Sequence, residues 1–291
     1  MTDSTTVAAP ALGRRGLLST AGLMALGAVA APLVQAGPAE AATVTDADIL
    51  NFALNLEYLE AEFYLRGATG RGLMPGEIEG RGSLGPVTGG RKVSFKSSAI
   101  RSYAREIAED EHAHVRFLRS ALGGAAVARP AIDLDRSFTL AARAAGLVGP
   151  GERFDAFANE SNFLLAAFLF EDVGVTAYKG AAPLIADRAV LEAAAGLLAV
   201  EAYHAGEIRS LLYSRGLFTA ARAISDARDA LDGPGDKDQG LRRENGANIV
   251  PTDMNGLAFS RSTSEVLNIV YLGGASGGFG FFPNRVNGLI M

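Results

Sequence analysis

Apolar positions along the chain fall into four long stretches with a helical period. From Asp46 to about Arg66, Ile49, Phe52, Ala53, Leu56, Leu59 and Phe63 recur at spacings of three and four, which lays them on one helix face. Thr45 or Asp46 can cap the start of this helix, and Gly67 is a stop signal. A second helix is predicted from about Ser97 to Leu122, ended by Gly123 and Gly124. A third runs from about Glu152 to Lys179, closed by Gly180 and Pro183, and a fourth from about Asp187 to Ser214, closed by Gly216. Residues 67–95 are rich in Gly and Pro and read as a long loop within one domain. Residues 124–150 form a second connection, with a short helix expected near 136–146, and a shorter polar helix is expected near 217–231.

Four helices of this length, each roughly 30 to 40 Å long at the usual rise, make a four-helix bundle, so the fold class is all-α. The connection between the second and third helices is long enough to cross the length of a bundle. No βαβ pattern or dinucleotide-binding glycine fingerprint occurs. The segment 232–291 differs: it is rich in Gly and Asn and carries scattered aromatics. Ser262 and Glu265 form a capping box that opens a short helix to Tyr271. The glycine run after it lacks the Lys-Ser/Thr of a phosphate loop, and Phe279, Phe281 and Phe282 are expected to pack against the bundle.

With 291 residues, 48% of them apolar, the chain can bury a large core. A net charge of −5 without long runs of one sign argues against a nucleic-acid partner. The absence of cysteine excludes disulfides, zinc–cysteine sites and thiolate nucleophiles. Near the start, Arg14 and Arg15 precede a modestly apolar run from Gly16 to Ala31. Pro32 breaks that run, and Ala39-Glu40-Ala41 has the form of a cleavage site. This reads as a secretory signal of the twin-arginine type; the run is short for a membrane span and interrupted by Gly and Pro. The expected organisation is a cleavable signal over 1–41, the helical bundle over 42–231 and an extension over 232–291. The mature protein is expected in the periplasm or outside the cell, without stable membrane insertion.

The ionisable residues change this picture most. The chain has three histidines, and two of them stand three residues after a glutamate: Glu111/His114 and Glu201/His204. Residues at i and i+3 share a helix face, so each pair points together, while His112 points elsewhere. The third helix carries an unbroken apolar run from Phe163 to Phe170, followed by Glu171 and Asp172. A helix apolar all round is buried, and a buried carboxylate is costly unless paired or bound to metal. In the first helix Glu57 stands in the middle of LNLEYLEAEFY. Tyr64 follows Glu57 by seven residues and Tyr178 follows Glu171 by seven, so each tyrosine shares its own glutamate's face. Arg119 follows His114 at the offset at which Arg209 follows His204. The chain reads as two helical hairpins, each supplying one Glu and one Glu-x-x-His. Four glutamates and two histidines in this distribution match a carboxylate-bridged dinuclear metal site, with two iron or manganese ions per chain. Glu60 and Asp172 are rival ligands, Glu109 with His112 is a rival register, and Glu60 and Glu62 are otherwise expected to face solvent or to support the ligands.

At these residues the chain resembles the ferritin-like superfamily, and within it the exported bacterial ferritin-like proteins related to plant desiccation-related proteins. The resemblance covers about residue 44 to the end. It rests on NFALNLEYLEAEFY, EHAHVRFLR, FEDVGVTAY, EAYHAGEIRSLLY and the tail NIVPTDMNGLAFSRSTSEVLNIVY. By that resemblance Glu57, Glu111, His114, Glu171, Glu201 and His204 take the metal-ligand positions, with Tyr64 and Tyr178 as hydrogen-bond partners behind them. The resemblance implies redox turnover of a small oxidant, oxygen or peroxide, in stress protection. The alternative is a non-catalytic desiccation or envelope protein with an idle site. Iron storage in a cage fits less well, because the long loops and the extension would obstruct cage packing.

Overall fold

The computed structural model describes residues 44–274 and 280–291; the signal expected over 1–41 and Phe279 lie outside them. Seven helices run through the described residues: α1 (Asp46–Thr69), α2 (Ser98–Leu122), α3 (Arg136–Ala144), α4 (Glu160–Ala181), α5 (Arg188–Ser214), α6 (Phe218–Asp229) and α7 (Thr263–Val270). Two short strand pairs complete the regular structure: β1 (Val87–Thr88) lies parallel to β2 (Ile132–Asp133), and β3 (Arg242–Arg243) antiparallel to β4 (Gly246–Ala247). The β1–β2 pair ties the α1–α2 loop to the α2–α4 crossover. Among the described residues no helix is long and apolar enough to cross a membrane.

Local chemistry sets the helix ends. The Thr45 hydroxyl accepts from the Asp48 amide at 3.3 Å, and the Asp48 carboxylate accepts from the Thr45 amide, a reciprocal cap. Asn159 caps α4 by accepting from the Asn162 amide at 3.0 Å, and Asp187 caps α5 through the amides of Ala189 and Val190. Two expected boundaries move. The third long helix begins at Glu160 rather than near 152, because Glu152 instead accepts from the Gly149 amide at 2.6 Å in a turn and Asn159 supplies the cap. The first helix runs past Gly67 to Thr69 and ends at Gly70, whose φ of 86° suits glycine. Gly67 lies within the helix, where the Phe163 ring packs in the space a Cβ would fill.

α1 and α2 form one packed hairpin and α4 and α5 the other. α1 and α4 are buried on nearly every face, as their apolar sequences require, whereas α2 and α5 bury one side each. The extension is built into this core. Phe281 and Phe282 are buried, and the Phe281 ring meets Phe138 and Phe170 at 5.0 and 4.9 Å between centroids. Asn55 and the Asn287 backbone exchange two hydrogen bonds, at 2.8 and 3.0 Å.

A buried ionic web fastens the same segment. Arg209, Arg228 and Arg261 are almost completely enclosed. Asp172 Oδ2 accepts from Arg209 at 2.7 Å and from Arg228 at 2.8 Å. Asp238 pairs with Arg228 at 2.6 Å and also with Arg261, and Arg261 Nε donates to Asp232 at 2.7 Å. Arg261 further donates to Thr176 on α4 at 2.7 Å. Each arginine thus joins α4, α5 or α6 to residues beyond 231.

Candidate metal centre

The two hairpins bring Glu57, Glu111, His114, Glu171, Glu201 and His204 to one buried place at the middle of the bundle. Each of the four glutamates is at most 1% exposed, and His114 and His204 are 6% and 4% exposed. Their donor atoms form two groups, Glu57/Glu111/His114/Glu201 and Glu111/Glu171/His204. Within each group one atom per residue lies within 4.8 Å of the others. Glu111 belongs to both. Its Oε2 faces His114 Nδ1 at 3.5 Å, and its Oε1 faces His204 Nδ1 at 3.0 Å. One carboxylate with an oxygen turned to each histidine is the arrangement of a bridging ligand. His114 Nδ1 also lies 3.2 Å from Glu57 Oε2 and 3.7 Å from Glu201 Oε1; His204 Nδ1 lies 3.7 Å from Glu171 Oε2.

The polar atoms here converge without satisfying one another. Both oxygens of Glu111, both of Glu201, Glu171 Oε2 and His204 Nδ1 are buried without a hydrogen-bond partner. The 3.0 Å approach of His204 Nδ1 to Glu111 lacks hydrogen-bond alignment. Buried polar groups in native proteins are paired almost without exception, so orphans concentrated in one spot mark a site for something that supplies charge. Carboxylate oxygens together with imidazoles make a donor set suited to metal ions.

Electrostatics carry the same message. Burial pushes Glu57 up to about 7 and Glu171 up to about 8, and holds Glu201 well above the carboxylate range; repulsion from neighbouring glutamates adds to each. Burial also works on Glu111, yet the close approach of the His114 and His204 imidazoles holds it below its ordinary value. Burial alone would lower the histidines. Against it, Glu57 and Glu111 raise His114 to about 11, and Glu111 and Glu171 raise His204 to about 10. At these values both imidazoles are positively charged at neutral pH and offset part of the carboxylate charge.

Supporting residues set the orientation. The Tyr64 hydroxyl donates to Glu171 and the Tyr178 hydroxyl donates to Glu57. Each tyrosine therefore serves the glutamate of the opposite hairpin, not the one on its own helix. Both second oxygens, Glu171 Oε2 and Glu57 Oε2, face the cluster. His204 Nε2 lies 3.1 Å from Asp110 Oδ2, an arrangement that keeps Nδ1 turned inward. Asp110 escaped sequence reasoning because its partner is on another helix and no spacing announces it. Gly174 was equally silent: a Cβ there would overlap the Glu201 carboxylate, so α4 needs glycine to admit that side chain.

The rivals fall elsewhere. His112 pairs with Glu77 at 2.7 Å near the surface, and Glu109 is exposed, which removes the alternative register. Asp172 belongs to the arginine web. Glu62 is fully buried, not solvent-facing; Arg66 at 2.8 Å and Arg129 neutralise it. Glu60 is buried one turn beyond Glu57 but outside both groups of donor atoms.

Comparison with known proteins agrees with this architecture. Residues 45–214 match the family model described as a ferritin-like domain, and the chain belongs to that family. It is 37% identical over 243 residues to a desiccation-related protein of Craterostigma plantagineum, covering 77% of this chain and 76% of that one. It is 32% identical over 273 residues to a ferritin-like catalase of Nesocodon mauritianus, covering 84% of each. No solved structure matches the chain at a significant level. The fold is an all-α ferritin-like bundle, and its buried glutamate–histidine cluster fits a dinuclear metal site.

Proposed function

We propose that the protein binds two iron or manganese ions and turns over peroxide in oxidative-stress protection. Glu111 would be shared between the ions, with Glu57, His114 and Glu201 on one side and Glu171 and His204 on the other. The observation that carries this reading is the concentration of unpartnered, buried carboxylate oxygens around Glu111. Metal ions that alternate between divalent and trivalent states would supply the electron exchange. Disproportionation balances without another reductant: one hydrogen peroxide takes up two electrons and two protons to give two waters, and a second gives up the same to become dioxygen. The chain's own part is to hold the ligands dry, to fix Glu57 and Glu171 through Tyr178 and Tyr64, and to hold His204 through Asp110. The similarity to a ferritin-like catalase supports this reading.

The test is metal content and dioxygen release from peroxide for the wild type, Glu201→Ala and His204→Ala. The wild type should hold two ions per chain and release dioxygen, and both variants should lose metal and activity. Wild-type protein offered iron and manganese that binds neither would remove the site. Metal binding without peroxide consumption would favour a second reading, a non-catalytic protective protein, for which the similarity to a desiccation-related protein speaks.

Export to the periplasm or beyond belongs to the same proposal and rests on Arg14, Arg15 and the apolar run after them. Changing both arginines to lysine should leave the precursor in the cytoplasm; unaltered export would point to a general secretory signal.

A further inference from the structure

Two neighbouring cavities lead from the surface toward the metal-ligand cluster between apolar walls. The first lies between α3, α4, α6 and α7 and has a free volume of about 30 Å³. Phe138, Ala166, Leu169 and Ile269 line its buried inner side. Its outer side reaches Ala144, which is exposed, and Ala227, which is half-buried. The second, of about 10 Å³, lies between α1, α4 and α7. Leu169 and Ile269 line both cavities and so form the wall they share. The second cavity ends on Gly174, where a Cβ would overlap the Glu201 carboxylate. Ala166, Leu169 and Val173 follow one another at steps of three and four, so one stripe of α4 borders the whole way. The rise along that stripe from Ala166 to Gly174 is roughly 12 Å.

The walls decide what such cavities hold. Among the described residues lining the first, Arg228 is the sole polar side chain, and among those lining the second, Glu60. Arg228 Nη1 donates to the Phe168 carbonyl at 2.6 Å, and Nη2 is held by Asp172 and Asp238, which leaves Nε alone without a partner. A buried water needs about two to four polar partners, and a single side chain in each cavity does not supply them. Water and hydrogen peroxide would both forfeit hydrogen bonds on entering. An apolar diatomic forfeits none, and cavities lined by Leu, Ile and Phe stay dry and take up apolar gases. Dioxygen is the apolar molecule of this size that peroxide turnover makes.

We infer that the two cavities are a dry passage for dioxygen, running from the partition at Gly174 to the surface beside α3 and α6. Their capacity for an apolar gas stands on the lining alone; their use as the product's exit rests on the peroxide-turnover reading. Passage between them needs only a brief change of rotamer at Leu169 or Ile269. Ala166 keeps the first cavity open, since any larger side chain there would fill it, and Ala227 keeps its mouth open.

The experiment compares the full chain with Ala166→Phe, which fills the first cavity, and Ala227→Phe, which closes its half-buried mouth and places less strain on the core. Helix content and metal stoichiometry should stay at wild-type values in at least Ala227→Phe. Wild-type crystals pressurised with xenon should show a xenon atom in the first cavity, and Ala166→Phe crystals none. In metal-free protein under dioxygen pressure, the methyl resonances of Ala166, Leu169 and Ile269 should be broadened at least threefold more than those of Ile107 and Val115, which are equally buried elsewhere. Ala227→Phe should remove that difference. An ordered chain of waters in the first cavity, no xenon, or even broadening of all buried methyls would overturn the gas passage. In metal-loaded protein Ala227→Phe should lower kcat for hydrogen peroxide about threefold or more with kcat/KM within about twofold, because it slows the product's departure and not the substrate's arrival. Unchanged kcat, or an equal fall in both, would overturn the exit role. If the wild type takes up xenon and dioxygen as expected yet consumes no peroxide, the peroxide reading fails separately and the gas passage stands.

Discussion

Glu171 and Asp172 are neighbours on one buried helix, yet they belong to opposite electrostatic worlds. Asp172 turns to Arg209 and Arg228, part of a web in which arginines neutralise buried acids and stitch the extension to the bundle. Glu171 turns to a cluster in which glutamates meet histidines and, among the described residues, no arginine. Burial raises acids in both. In the web, Arg228 and Arg261 limit the rise of Asp238 to about 6, so it is largely ionised at neutral pH. In the cluster Glu201, and beside the cluster Glu60, are driven well above their ordinary range. Fixed guanidinium groups make structure. Their omission, at the same depth in the same bundle, leaves negative charge to be met by something that can come and go.

The comparison is broken most severely by removing a cation from the web. Arg261→Met leaves Asp232 and Asp238 short of a partner, and should cost about 3–5 kcal/mol, a fall of roughly 10 °C in melting temperature. In metal-free protein Glu201→Gln should do the reverse and raise the melting temperature by a few degrees, because it removes an unpaired buried acid. Thermal melts of both variants in chelator check the pair. Equal destabilisation by both would mean that the cluster is as well neutralised as the web.

A pH series sharpens the contrast next. Glu57 and Glu171 stand at about 7 and about 8 in the folded chain against an ordinary 4.5. Their contribution to stability is therefore complete below pH 4.5 and is lost as pH rises through those values. His114 and His204, at about 11 and about 10 against 6.5, contribute fully below pH 6.5 and also lose that contribution as pH rises. Glu111 runs the other way, at pH values below this window. Metal-free protein should thus melt progressively lower from about pH 5 to about pH 9. The increase in melting temperature on adding manganese should grow over the same range, since the ligands must deprotonate to bind. A metal effect that is flat with pH would contradict the assignment of these ligands.

The smallest effect comes from the crossed tyrosines. Tyr64→Phe and Tyr178→Phe should each weaken metal binding by roughly 10- to 100-fold and by similar amounts, because each frees one glutamate of the opposite hairpin. Isothermal titration on the two variants measures this. A loss confined to one of them would show that the hairpins do not contribute alike.

Much of this was legible in the sequence, for identifiable reasons. The helices announce themselves by apolar period, and the six cluster residues by a spacing that occurs twice: Glu111/His114 and Glu201/His204 on two helices, with Glu57 and Glu171 amid apolar residues on the others. What escaped is whatever depends on a second helix. The Tyr64 and Tyr178 spacing placed each tyrosine beside its own glutamate, but side chains in a bundle reach across, and the partners are exchanged. Glu62 looked like a surface residue because Arg129 lies far along the chain. The Arg119/Arg209 echo signalled two hairpins correctly and their roles not at all. Arg119 bonds the Glu79 carbonyl at 2.7 Å near the surface, while Arg209 is sealed in the web. The start of α4 moved because Asn159 supplies its cap while Glu152 is held in a turn by the Gly149 amide.

The central claim is that the unpaired acids around Glu111 are a two-metal site, and anomalous X-ray scattering at the iron and manganese edges tests it most directly. Crystals of protein loaded with either metal should show two peaks flanking Glu111, one among Glu57, His114 and Glu201 and the other beside Glu171 and His204. Glu111→Gln crystals should lose one or both. Metal-loaded crystals without any peak in this cluster, or with peaks only at surface carboxylates, would contradict the account.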